Sequence, residues 1–170
     1  MIKLIIGQNA IGKSVYIKNA ANEALKKEDS VLSNIWNSKY LKNRAYNDER
    51  IEVLYDILDA EEVIENTECL AVKGGQIMVG QNFANILTLI CKCGDYLYLD
   101  EPEYGLNNHE IGYLVAFLYK ILDTFKLIEI VTHSELFFGI QEAEMRTVTL
   151  NSRKQYILSE LGEDAYVTID

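Results

Sequence analysis

The feature that most constrains this chain is its opening order of short apolar strand, glycine-bounded turn and helix. Lys3-Leu4-Ile5-Ile6 has the continuous apolar character of a strand buried on both faces, as in a parallel sheet. Gly7 to Ser14 is a polar turn. Residues 13–27 then take helical spacing, with Val15, Ile17, Ala20, Ala21, Ala24 and Leu25 expected inward.

The same alternation recurs along the chain. Val31 to Trp36 reads as a second strand, and residues 37–47 as a polar loop. Asn47 or Asp48 is placed to cap a helix carrying Ile51, Leu54, Ile57 and Leu58. Its acidic continuation, Asp59 to Glu68, is expected to be exposed. Residues 82–90 resume helical spacing. Tyr96-Leu97-Tyr98-Leu99 is a strand ending in Asp100-Glu101, 108–126 is the strongest helix, and Ile128 to Val131 is a further strand. Arg146 to Leu150 reads as a strand, and Arg153 to Leu161 as helix or strand. Strands separated by helices predict an α/β layered fold.

Composition bounds the answer. The 170 residues predict one domain, 1–170, and 49% hydrophobic with 25% charged residues excludes global disorder. No apolar run reaches the roughly 18–20 residues that span a bilayer, so no direct membrane insertion is expected. The N-terminus lacks a leader pattern, and a cytoplasmic location is expected. Net charge is -10, unevenly spread: +4 over residues 1–50 and -14 over 51–170. The acidic part argues against broad, salt-driven adhesion to nucleic acid. Lys39, Lys42 and Arg44 are candidates for a local basic face. Cys69, Cys91 and Cys93 are an odd set without a zinc-type pattern and are expected as small core residues.

Gly7-Gln8-Asn9-Ala10-Ile11-Gly12-Lys13-Ser14 fits G-x-x-x-x-G-K-[ST] at every fixed position, between a strand and a helix. In such a loop, backbone N–H groups point inward at a β-phosphate at a helix N-terminus. Lys13 would neutralise charge between the β- and γ-phosphates of ATP, and the Ser14 hydroxyl would ligate Mg²⁺. The expected nucleotide-binding set is Gly7, Gln8, Asn9, Ala10, Ile11, Gly12, Lys13, Ser14 and Val15.

Asp100 and Glu101 stand at the carboxyl end of a strand, the edge where open α/β sheets bind ligands. Asp100 is suited to hold Mg²⁺ with Ser14. Glu101 is suited to polarise an attacking water. His133, in Thr132-His133-Ser134 after the next strand, is suited to contact the γ-phosphate and that water. Lys13, Glu101 and His133 are therefore the expected catalytic residues. His109 is expected at the surface.

Together these motifs resemble the ABC-type P-loop ATPases, within them the soluble SMC/Rad50-like or OLD-like AAA branch, in a minimal form. Gly7–Ser14 resembles Walker A. Leu97-Tyr98-Leu99-Asp100-Glu101-Pro102-Glu103 resembles Walker B with its glutamate, Tyr104-Gly105-Leu106-Asn107 the D-loop, and Thr132-His133-Ser134 the switch histidine. Lys73-Gly74-Gly75-Gln76 resembles the signature motif. The resemblance implies a P-loop NTPase fold: a mostly parallel sheet flanked by helices, here with a reduced N-terminal β region and a small helical or loop insertion at about residues 37–80. It implies ATP closed between two subunits, a homodimer or a hetero-partner completing the site.

Three departures stand out. Lys73 replaces the signature serine. No glutamine lies between Ser14 and Gly74, so Asn34 or Asn37 is the available stand-in for the Q-loop residue. Little chain precedes Gly7. The expected function is Mg-dependent ATP hydrolysis, intrinsic or partner-dependent, driving dimerisation or partner switching. The alternatives are an ATP-binding interaction protein with little turnover and a nucleotide-binding subunit of a transporter. Nucleic acid enters only by family analogy.

Overall fold

A computed structural model describes residues 1–27, 30–35, 44–58, 60–63, 69–72, 75–78 and 81–161. The strands are β1 (Ile2–Ile5), β2 (Val31–Ser33), β3 (Ala60–Val63), β4 (Cys69–Val72), β5 (Gly75–Met78), β6 (Tyr96–Asp100), β7 (Leu127–Val131), β8 (Ala143–Leu150) and β9 (Tyr156–Glu160). The helices are α1 (Lys13–Lys27), α2 (Asp48–Leu58), α3 (Gln81–Ile90) and α4 (Asn108–Ile121).

Six strands form the main sheet in the order β2-β6-β7-β1-β8-β9. All neighbours in it are parallel except β8 and β9. Helices cover both faces because each central strand sends apolar side chains both ways. Leu4, Ile128, Ile130, Leu97 and Leu99 pack with α2, α3 and α4 on one face. Ile5, Val131, Tyr98, Val31 and Val148 pack with Ile17 and Ala21 of α1 on the other. The mostly parallel α/β sheet flanked by helices is as expected.

Local chemistry sets the helix ends. Asn47 Oδ1 accepts the Arg50 N–H at 3.1 Å, capping α2. Asn107 and Glu110 form a capping box at α4. On α4, Ile111, Leu114, Leu118 and Ile121 are buried as their spacing requires, with Phe117 among them. The helix stops at Ile121, and Leu122–Thr124 tightens into a 3₁₀ turn.

Several expectations need correction. The segment after α2 is not a helical continuation. Residues 60–78 contain a three-stranded antiparallel sheet, β3-β4-β5, so the insertion is mixed helix and strand. The last turn of α2 carries no basic residue, and Asp59, Glu61 and Glu62 follow it. Val15, expected inward, is 48% exposed on the first turn of α1. Cys91 is buried but Cys93 is exposed. The second strand ends at Ser33. The open alternative for 153–161 resolves to strand β9.

Arg50 ties these layers together. It is 1% exposed and has no carboxylate partner among the described residues. Its guanidinium bonds Thr124 Oγ1 and the carbonyls of Ile90, Lys92, Gly94 and Thr124, and stacks 3.5 Å from the Phe125 ring centroid. Five N–H donors meet five acceptors, which is how a buried charge is tolerated. Burial lowers its pKa to about 10, so it stays protonated at neutral pH.

Candidate functional site

Three parallel strands, β1, β7 and β6, end level with one another, and β2 stops at Ser33, level with Tyr98. Ile5 is in register with Val131, which is in register with Asp100, and β2 lies beside β6. Their carboxyl ends therefore deliver Gly7, Asn34, Asp100, Glu101 and His133 to one edge of the sheet. This is the edge at which open α/β sheets offer a binding crevice.

Between β1 and α1 the chain curls through Gly7 (φ 127°), Ala10 (φ 64°) and Gly12 (φ 95°). Such backbone angles strain any residue bearing a Cβ and suit glycine. Inside the curl, Lys13 is 5% exposed, and its ammonium donates to the carbonyls of Gly7 at 2.8 Å and Gln8 at 2.7 Å. Burial lowers the Lys13 pKa, with Glu101 and Asp100 pulling it back up.

Ser14, the second residue of α1, donates its hydroxyl to Asp100 Oδ1 at 3.1 Å. Burial raises the Asp100 pKa. The Ser14 hydrogen bond opposes that shift, and neighbouring Glu101 reinforces it. The main chain of Asp100 is held from the other side by Asn34. Asn34 donates to the Asp100 carbonyl at 2.9 Å and accepts from its N–H at 2.8 Å. This amide replaces one rung of the ladder that β2 leaves unfinished.

Glu101 has φ 45°, a sparsely populated conformation for a residue with a side chain. Its N–H donates to Val131 O at 2.9 Å, which holds the bend. The bend aims the carboxylate at the neighbouring strand end, where Glu101 Oε1 meets His133 Nε2 at 3.1 Å. Strain of roughly 1–3 kcal/mol is typical of such a position and concentrates at functional sites.

Glu103 holds the histidine in place. Its Oε1 accepts the Thr132 hydroxyl at 2.8 Å and the His133 N–H at 2.6 Å. Thr132 Oγ1 in turn accepts the Ser134 N–H at 3.0 Å. Glu103 Oε2 is buried and has no hydrogen-bond partner among the described residues. Glu101 and His133 stand in the expected catalytic set, and Glu103 does not. The third acid in Asp100-Glu101-Pro102-Glu103 was the signal for it.

The remaining candidates lie apart from this cluster or outside the described residues. Lys73 and Gly74 are outside them, as are Lys39, Lys42 and Asn37. Gly75 and Gln76 stand in β5, opposite Val72 and Ala71. His109 is exposed, edge-on to Tyr113 with ring centroids 4.7 Å apart. Arg44 bonds the Cys93 carbonyl at 3.3 Å.

The donor set at Ser14 and Asp100 is one hydroxyl and one carboxylate. Hard oxygens in that small number fit Mg²⁺, which takes one or two protein ligands and completes its shell with water and phosphate. Among the described residues, no cluster of three or more His, Cys, Asp or Glu is arranged to hold a metal by itself. No helix among them is long and apolar enough to cross a membrane.

No protein-family model matches the sequence, and no curated protein matches it. Solved structures do resemble it in shape. One is a chain in the complex of archaeal ribosomal stalk protein aP1 and archaeal ribosome recycling factor aABCE1. The TM-score is 0.59 and the identity 16%, over 94% of this chain and 38% of that one. Another is the SMC head domain from Thermotoga maritima, with TM-score 0.44 and identity 9%, over 78% of this chain and 54% of that one. The chain thus spans well under two thirds of the length of either. The first likeness is one of fold: the mostly parallel six-stranded sheet with helices on both faces is compatible with a P-loop NTPase-like fold.

Proposed function

We propose that the chain binds ATP with Mg²⁺ in the Gly7–Ser14 loop and hydrolyses it to ADP and phosphate. The observation that carries this is a convergence at one sheet edge. The Ser14–Asp100 contact of 3.1 Å and the Glu101–His133 contact of 3.1 Å both stand beside the Lys13 curl.

In this reading the loop N–H groups and Lys13 hold the β- and γ-phosphates. Ser14 and Asp100 would hold Mg²⁺, which neutralises phosphate charge. Glu101 takes a proton from a water as its oxygen attacks the γ-phosphorus. The bond from that phosphorus to the bridging oxygen breaks, leaving ADP and phosphate. His133 holds the water and a γ-oxygen through its imidazole. Glu103 and Asn34 keep the reacting side chains aligned.

Dimerisation on ATP, or closure with a different partner, belongs to the same proposal. In it, the Lys73–Gln76 segment of one subunit faces the nucleotide of the other. A second reading is an ATP-binding interaction protein with little turnover of its own. The Glu101–His133 contact favours it to one extent: a carboxylate engaged with imidazole is less free to take a proton from water. A transporter subunit and a nucleic-acid role stay as family analogies.

Phosphate release separates the readings. The native chain should release phosphate from ATP and Mg²⁺, whereas Glu101→Gln should bind ATP and retain it. Binding without turnover in the native chain supports the interaction protein. Equal turnover by native chain and Glu101→Gln removes Glu101 from the chemistry.

A further inference from the structure

We propose that Tyr156 is the base platform of the nucleotide site. Its ring would stack on the purine or pyrimidine base of a nucleotide whose phosphates lie in the Gly7–Ser14 loop. The proposal rests on the nucleotide reading above and adds to it what holds the other end of the ligand.

The placement follows from strand register. Ile5, the last residue of β1, lies level with Arg146 of β8. Strand β8 continues to Leu150, and Tyr156 of β9 pairs with Leu150. The far part of the β8–β9 hairpin therefore overhangs the carboxyl edge of the sheet, beside the loop that leaves β1. Leu158, two residues along from Tyr156 and so on the same face, packs into the α1 cluster. Tyr156 consequently stands on the α1 side, the side on which the loop enters its helix.

The contact with the loop is close. A Cβ built on Gly12 would lie 2.5 Å from Tyr156 Cδ1 and 2.7 Å from its Cζ. Only a glycine at position 12 lets the ring sit there. Gly7 is likewise crowded by Thr147 of β8, whose Oγ1 would stand 3.0 Å from a Cβ. The hairpin thus forms one wall of the loop.

That wall presents apolar surface to the outside. Tyr156 is 36% exposed, and its register partner Leu150 is 56% exposed. Partners directly opposite in an antiparallel pair project from the same face, so the two form one ledge. The turn between β8 and β9 carries Arg153 and Lys154. An aromatic face next to a phosphate-binding curl suits a nucleotide better than a bare phosphate. Stacking uses the π-face every base has, so it discriminates little between bases.

The test is calorimetric titration of the full chain with ATP, GTP and inorganic triphosphate, each with Mg²⁺. Tyr156→Ala should weaken ATP and GTP by roughly tenfold and leave inorganic triphosphate within about twofold. Tyr156→Phe should bind ATP as the native chain does. Tyr156→Leu keeps apolar bulk against Gly12 without a planar face, and it should lose ATP affinity as Tyr156→Ala does. Equal weakening of all three ligands would show that the ring only buttresses the loop, overturning the proposal. Unchanged ATP affinity in both Tyr156→Ala and Tyr156→Leu would also overturn it. If the native chain binds neither ATP nor triphosphate, the nucleotide reading itself fails and takes this one with it. That failure is distinct, because it precedes any change at Tyr156.

Discussion

Asn34 and Asp100 are joined by two hydrogen bonds, of 2.8 and 2.9 Å, between the Asn34 side chain and the Asp100 main chain. The amide fits both groups at once, donor to carbonyl and acceptor to N–H. We predict that Asn34→Ala costs about 1–3 kcal/mol of stability, since two partly buried backbone groups lose their partner. Asn34→Asp should be worse than Asn34→Ala, because it sets a carboxylate against the Asp100 carbonyl. It should also raise the Mg²⁺ concentration needed for half-maximal ATP binding. Chemical denaturation with a Mg²⁺ titration checks both. An Asn34→Asp chain as stable and as Mg²⁺-sensitive as the native one contradicts the assignment.

Glu103 holds Thr132 and His133 through one oxygen. Glu103→Gln keeps an acceptor oxygen there and should retain most phosphate release. Glu103→Ala frees the His133 loop and should slow release by on the order of a hundredfold, the scale of a misplaced catalytic group. Steady-state phosphate release measures both. Glu103→Ala turnover equal to that of Glu103→Gln rules out a positioning role.

Arg50 satisfies five oxygen acceptors from a buried position. Arg50→Met fills similar space but orphans those carbonyls. It should destabilise the fold by roughly 3–5 kcal/mol, as loss of a buried polar network does. A change below about 1 kcal/mol in urea unfolding would show that the carbonyls find water instead.

Glu129 gives a pH signature. It is 3% exposed on β7, bonded to Lys3 Nζ at 3.3 Å and Tyr16 Oη at 3.3 Å. Burial raises its pKa above the ordinary 4.5, although Lys3 and Tyr16 oppose the shift. The folded chain then holds this proton at pH values where the unfolded chain has lost it. Its contribution is full below the unfolded pKa and declines as pH rises through the folded one. Glu129→Gln cannot titrate. The stability of Glu129→Gln relative to the native chain should therefore rise between pH 4 and pH 7. A difference that stays flat or falls over that range would sink the assignment.

Much of the fold was legible because its signals were local. The α1 limits at Lys13 and Lys27, the cap at Asn47, and the strand ending at Asp100 follow from periodicity and capping chemistry. The small antiparallel sheet was missed because short strands among acidic residues show little alternation. Val15 was misplaced because it lies two residues from buried Ile17, on the opposite side of the helix, and so faces solvent. The contacts that complete the site were illegible for a different reason. Asn34 to Asp100, Glu103 to His133 and Tyr156 to Gly12 join residues far apart in sequence. Only strand order and register bring them together.

The most direct test of the central claim is equilibrium binding of ATP with Mg²⁺ to the native chain and to Lys13→Ala. Removing the ammonium from the loop takes away the charge that meets the β- and γ-phosphates. The native chain should bind saturably, and Lys13→Ala, folded by circular dichroism, should lose at least tenfold in affinity. Equal binding by the two chains, or none by either, would contradict the account.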